Sequence, residues 1–203
     1  MGQNIKNIIF DLGDVLVKFY PEGYLKSEGL NNVEVELIRD IFFLSKEWAY
    51  LDIGIITREE AKEIIISRNK KYRYILSKYI DNYPGMYKLV DCNVELLNEL
   101  KNKKYKLYFL SNFHKEAFLT IHKQFNFFKL FDGGVVSAFV KLLKPYSSIY
   151  LRLIKKNGIK AKESLFIDDT IANIEAAAKL GFNTIHLKNP AKLGYILGNA
   201  GII

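Results

Sequence analysis

Four short apolar runs punctuate the chain: IKNIIF (5–10), KLYFL (106–110), SLFI (164–167) and NTIHL (183–187), with GVV (134–136) a weaker fifth. Each is too short for a globular helix and is bounded by polar or turn residues, which predicts buried strands. Between them the apolar positions change to helical spacing. NVELLNELKNKK (93–104) puts Val94, Leu97 and Leu100 on one face. SSIYLRLIKKNG (147–158) groups Tyr150, Leu153 and Ile154 and stops at Gly158, and the Ala-rich TIANIEAAAKLG (170–181) stops at Gly181. Strands alternating with helices predict an α/β fold with a mainly parallel sheet.

Residues 21–83 break that rhythm. They hold helical patterns and no convincing strand: VEVELIRDIFFL, then TREEAKEIII, then a tyrosine-rich stretch. Thr57 and Glu60 have the spacing of a capping box, with Ala61, Ile64 and Ile65 as the following apolar face. Strand-to-strand crossovers are usually far shorter than the chain between Asp11 and Ser111. The expectation is an all-helical subdomain, residues 19–85, inserted into a core made of 1–18 and 86–203. NYPG (82–85) is the expected return hinge.

With 203 residues, 49% hydrophobic and 26% charged, the composition is that of a globular chain with one core and room for an insert. No apolar run approaches the ~20 residues of a membrane span. The N-terminus lacks a small-residue cleavage site, and the single cysteine, Cys92, permits no internal disulfide. Cytoplasm is the default expectation. A net charge of +8 raises the question of nucleic acid. Its densest basic stretch, 68–83, however places Tyr72, Ile75, Leu76, Tyr79 and Ile80 along one helical stripe, so it reads as core. The charge suits anionic, phosphorylated substrates; nothing points to nucleic acid, a membrane or a particular oligomeric state.

Two strands run straight into acids. IIFDLGDVLV (8–17) carries Asp11 and Asp14, and SLFIDDT (164–170) carries Asp168 and Asp169. In an open parallel sheet all strand C-termini share one edge, where ligands bind. Asp11, Asp168 and Asp169 meet there if their strands are neighbours. Three crowded carboxylates repel, and a divalent cation relieves the repulsion. Oxygen donors without a His/Cys cluster suit Mg²⁺. FLSNF (109–113) adds Ser111 and Asn112 at another strand end, and VKLLKPY (140–146) offers Lys144 before a helix. A hydroxyl, an ammonium and helix N-termini are what a phosphate dianion requires.

Through FDLGDVLV, FLSN, KP and FIDDTIANIEAAAKLGF the chain resembles the haloacid dehalogenase superfamily of phosphohydrolases, and most of all its bacterial sugar-phosphate phosphatases of the glucose-1-phosphate type. The resemblance implies a Rossmann-like core with a helical cap inserted after the first motif. It implies Asp11 as nucleophile, forming an aspartyl-phosphate, and Mg²⁺ held by Asp11, the Gly13 carbonyl and Asp169, with Asp168 and Asn173 in support. Ser111, Asn112 and Lys144 would bind and neutralise the phosphoryl group. The substrate would be a small phosphorylated metabolite, with a sugar phosphate favoured.

One position departs from the family. Most of its phosphatases carry a general-acid aspartate two residues after the nucleophile, where this chain has Gly13. Asp14 is either a turn carboxylate or part of the chemistry, and His114 or a cap residue could also supply the proton. Two other readings stand beside phosphohydrolysis. A metal-free 2-haloacid dehalogenase would use the same Asp, Ser-Asn and Lys, but would carry a tyrosine at Gly13 and no metal acids. A catalytically weak binding module would follow from the missing aspartate. Trp48 reads as core or cap packing, FNFFKLF (125–131) as an apolar patch under a loop, and Cys92 as buried. His122 and His186 lack metal-ligand spacing.

Overall fold

The computed structural model of the chain describes residues 5–203. Seven strands occur among these residues: β1 (Asn7–Phe10), β2 (Val17–Phe19), β3 (Tyr87–Leu89), β4 (Lys106–Ser111), β5 (Gly133–Val136), β6 (Ser164–Asp168) and β7 (Asn183–His186). Five form one sheet in the order β5-β4-β1-β6-β7, with every neighbouring pair parallel. The five predicted strands are these five. Ile8, Ile9 and Phe10 have no exposed surface, and burial of each such side chain is worth about 1.5–3 kcal/mol. That burial places β1 at the sheet centre.

Side chains alternate across the sheet. Ile8 lies beside Leu107 and Leu165, and Phe10 beside Phe109 and Ile167, all on one face. Ile9, Tyr108 and Phe166 line the other. Five α-helices precede the core helices: α1 (Pro21–Ser27), α2 (Asn32–Ile38), α3 (Lys46–Ile53), α4 (Arg58–Arg68) and α5 (Arg73–Asn82). They make the helical cap. Thr57 and Glu60 cap α4 reciprocally, as their spacing predicts. Leu76, Tyr79 and Ile80 of α5 are buried, so the basic, tyrosine-rich stretch does pack inward.

The core continues with α6 (Asp91–Asn102), α7 (Lys115–Gln124), α8 (Ser137–Val140), α9 (Ser147–Asn157), α10 (Ile171–Lys179) and α11 (Leu193–Asn199). Residues of α6, α7 and α11 cover the first sheet face, and residues of α9 and α10 cover the second. The result is the three-layer Rossmann-like core. Gly158 and Gly181 take positive φ, 64° and 87°, where α9 and α10 end.

Two local expectations change and one gains detail. The chain enters and leaves the cap through a ribbon, β2 paired antiparallel with β3, whose three-residue strands have no period to read. FNFFKLF is an apolar patch with Phe127 and Phe128 buried, and it is folded as a 3₁₀ helix, Asn126–Leu130. Cys92 is exposed rather than buried. It lies in the first turn of α6, where the neighbouring Asn93 takes the inward position and donates to the Val15 carbonyl at 2.8 Å.

Candidate active site

Chain order leads outward from β1 to β4 and β5, then returns to the other side of β1 for β6 and β7. The strand order therefore reverses at β1, and the crevice at the C-terminal edge is where such sheets bind ligands. Asp11 follows β1 directly, Ser111 ends β4 and Asp168 ends β6. All three arrive at this edge because all three strands are parallel. Carboxylate oxygens of Asp11, Asp168 and Asp169 lie within 4.8 Å of one another.

Lys144 joins two of these acids. Its Nζ is 2.9 Å from Asp11 Oδ1 and 2.6 Å from Asp168 Oδ2, and all three residues are buried. Burial alone disfavours the ammonium, but Asp11 and Asp168 together outweigh it and raise the Lys144 pKa. The loop is held by Asn112, whose Nδ2 donates to the Lys144 carbonyl at 3.0 Å while its Oδ1 accepts from the Lys144 amide at 2.9 Å. Both ends of the Asn112 amide are thus engaged with backbone.

The two acids after β6 differ. Asp168 is wholly buried and accepts from Lys144, from the Thr170 amide at 2.8 Å and from Asn173 Nδ2 at 3.0 and 3.1 Å. Asn173 is fixed in turn by Tyr150, whose hydroxyl donates to its carbonyl at 3.0 Å. Asp169 is only half-buried, and its nearest side-chain hydrogen bond is a long one, 3.4 Å from Thr170 Oγ1. His186 Nε2 donates to the Asp169 carbonyl at 2.9 Å, which requires the proton on Nε2.

Without a cation these acids are uncomfortable. Burial, with Asp168 nearby, pushes Asp11 up to about 6 even though Lys144 and Ser111 favour its charged form. Asp169 is raised by burial and by the charges of Asp168 and Asp14. Hard oxygen donors whose ionisation is suppressed by crowding are the donor set for Mg²⁺. Asp11 and Asp169 have lone pairs to give, whereas those of Asp168 are largely committed. Gly13 lies in the turn between these elements and pairs with Val17. Asp14 is exposed at φ 50°, and its amide donates to the Val17 carbonyl at 2.8 Å. Among the described residues its carboxylate accepts no hydrogen bond.

The cap contributes residues that no local motif marks. Trp48 lies in an aromatic cluster with Phe19, Phe42, Phe43 and Tyr83, and its ring is 4.2 Å from that of His114. His114 is buried, with Nδ1 3.1 Å from the Tyr83 hydroxyl and Nε2 3.2 Å from Asp52 Oδ1, in range but out of line for a hydrogen bond. Burial depresses His114 to about 3, so it is neutral. Beyond Trp48, an apolar cavity of about 230 Å³ opens in the cap, walled by Phe19, Leu25, Val35 and Phe43 with Glu22 and Arg39.

Comparison with known proteins agrees with this geometry. A family model of haloacid dehalogenase-like hydrolases matches residues 5–181. The sesquiterpene phosphatase of Aspergillus oryzae is 32% identical over 189 residues, 92% of each chain. A HAD family enzyme from Bacteroides thetaiotaomicron superposes with a TM-score of 0.75 at 25% identity, covering 96% of this chain and 99% of that one. A structure of that enzyme with magnesium and inorganic phosphate gives 0.67 at 26% identity, covering 89% and 93%.

Proposed function

The chain belongs to the haloacid dehalogenase-like hydrolases, and from that premise we propose that it is a Mg²⁺-dependent phosphatase of small phosphomonoesters. The observation that carries this reading is the buried Asp11–Lys144–Asp168 arrangement beside the freer Asp169. Asp11 is the nucleophile. Its Oδ attacks phosphorus as the P–OR bond breaks and the alcohol leaves, giving an aspartyl-phosphate that water hydrolyses to phosphate and free Asp11. Lys144 and Ser111 neutralise the phosphoryl oxygens as charge spreads over them, so catalysis is mostly positioning and electrostatics. Asn112 positions Lys144 through the two backbone bonds it makes. Asp11, the Gly13 carbonyl and Asp169 would hold Mg²⁺, with Asp168 and Asn173 in support. The ion would offset the charge of the acids and of the phosphate.

The cap, proposed as residues 19–85, closes the crevice and chooses the alcohol. A sugar phosphate suits the glucose-1-phosphate resemblance. A second reading, the phosphate of an apolar alcohol, is favoured by the apolar cavity behind Trp48 and by the similarity to a sesquiterpene phosphatase. The acid pair after β6 argues against metal-free dehalogenation. Phosphate release from glucose-1-phosphate, farnesyl phosphate and p-nitrophenyl phosphate, with Mg²⁺ and with EDTA, tests both the reaction and the alcohol. Release from none of them would defeat the reading, and chloride release from a 2-haloacid in EDTA would replace it.

A further inference from the structure

In-line displacement at phosphorus puts the leaving oxygen opposite Asp11, on the side the cap covers. An alkoxide leaving group needs a proton there. Gly13 carries no carboxylate, and the space where its side chain would begin is open. Asp14 acts on Asp169, which places its charge on the metal side rather than the leaving-group side. The core therefore offers no acid at that position.

The cap does. Asp52 lies in the last turn of α3, and its backbone is latched to the core. The Phe113 amide donates to Ser137 Oγ at 2.9 Å, and Ser137 Oγ donates to the Asp52 carbonyl at 2.5 Å. Gly54, at φ 72°, ends the helix flush against Ala138, where a Cβ would collide with backbone. This contact fixes α3 on α8 and holds Asp52 with its Oδ1 3.2 Å from His114 Nε2, near enough to Asp11 and Lys144 for both charges to act on it. Neutral His114, braced by Tyr83, stands behind its Oδ1.

We propose that Asp52 is the catalytic acid and base of this enzyme, delivered by the cap to the place that Gly13 leaves empty. As the Asp11 Oδ–P bond forms and the P–OR bond breaks, the Asp52 carboxyl gives its proton to the departing oxygen, releasing ROH. The Asp52 carboxylate then takes a proton from water as the water oxygen bonds to phosphorus and the Asp11 Oδ–P bond breaks. Phosphate leaves, and both carboxyl groups return to their starting states. Burial, with the Asp11 charge, pushes Asp52 up to about 7 against the pull of Lys144, so the proton is present near neutrality. The titratable groups facing it are Asp11 after β1, Tyr83 after α5, Tyr87 of β3, His114 before α7 and Lys144 before α9.

The inference rests on the phosphatase reading, and leaving-group dependence separates the two. kcat/KM is measured for p-nitrophenyl phosphate and for an alkyl phosphate with wild type, Asp52→Asn and Asp52→Glu, each checked for folding by circular dichroism. A lost general acid costs ~10²–10⁴ where the leaving group is poor. Asp52→Asn is expected to lose at least ~10-fold more rate on the alkyl ester than on the aryl ester. Asp52→Glu regains part of that difference, and the fall of wild-type alkyl turnover above about pH 7 disappears in Asp52→Asn. Equal losses on the two esters, or no loss on the alkyl ester, would overturn the role of Asp52 while leaving wild-type turnover in place. Absence of Asp11-dependent turnover in the wild type would instead defeat both readings.

Discussion

Lys144 Nζ stands 2.6 Å from Asp168 Oδ2 with both side chains withdrawn from water. The pair has two functions in this fold. It neutralises an acid that four hydrogen bonds hold rigid, and it leaves the same ammonium 2.9 Å from Asp11. Breaking a buried pair from one side leaves an uncompensated charge, at a cost of about 3–5 kcal/mol. Lys144→Met is therefore expected to lower the melting temperature in EDTA by several degrees. It should also reduce kcat by about 10²–10³ as the phosphoryl oxygens lose a donor. Thermal melts and steady-state rates check the two effects separately.

Mg²⁺ should stabilise the folded chain through the acids that crowd without it. At about 100 times Kd the gain is about 2.7 kcal/mol, a rise of several degrees in melting temperature. Asp169→Asn should lose most of this shift, because Asp169 is the acid of the β6 end with oxygens to spare. Differential scanning fluorimetry across a Mg²⁺ titration reads the outcome, and an undiminished shift in Asp169→Asn would remove that residue from the metal site.

Asp52 predicts a pH trend in stability. Its folded pKa, about 7, lies above its ordinary value of 3.8, so the folded state holds the proton more tightly. The resulting stabilisation is fully present below the ordinary value and is lost as pH rises through about 7. Asp52→Asn has no such loss. Measured in EDTA, its melting temperature relative to wild type should climb between pH 5 and pH 8. A constant difference would mean that Asp52 is solvated and ionised throughout.

Much of this site is written locally. Asp11, Ser111 and Asp168 each close an apolar run too short to be a helix, so their positions follow from strand periodicity and the parallel-sheet rule. Lys144 is legible for a similar reason, as the cation just before a helix. Asp52 is different. It lies in the last turn of a short helix, in WAYLDIG, with only Gly54 as a local signal, and its backbone is held by Ser137, 85 residues away. Nothing in the sequence near Asn112 announces that its amide will be used on the Lys144 backbone, 32 residues on. The β2–β3 ribbon escapes notice for the same reason. Three residues carry no period, and only the pairing of Val17, Lys18 and Phe19 with Leu89, Lys88 and Tyr87 defines it. What sequence pattern misses here is tertiary contact, not propensity.

The most direct test of the account is hydrolysis of p-nitrophenyl phosphate by the wild type and Asp11→Asn, each with Mg²⁺ and with EDTA. Its good leaving group makes the assay sensitive to the nucleophile and the metal whatever supplies the proton. The account predicts turnover in the wild type with Mg²⁺ alone. It predicts only background in EDTA and in a folded Asp11→Asn variant. Turnover that survives in Asp11→Asn or persists in EDTA would contradict it.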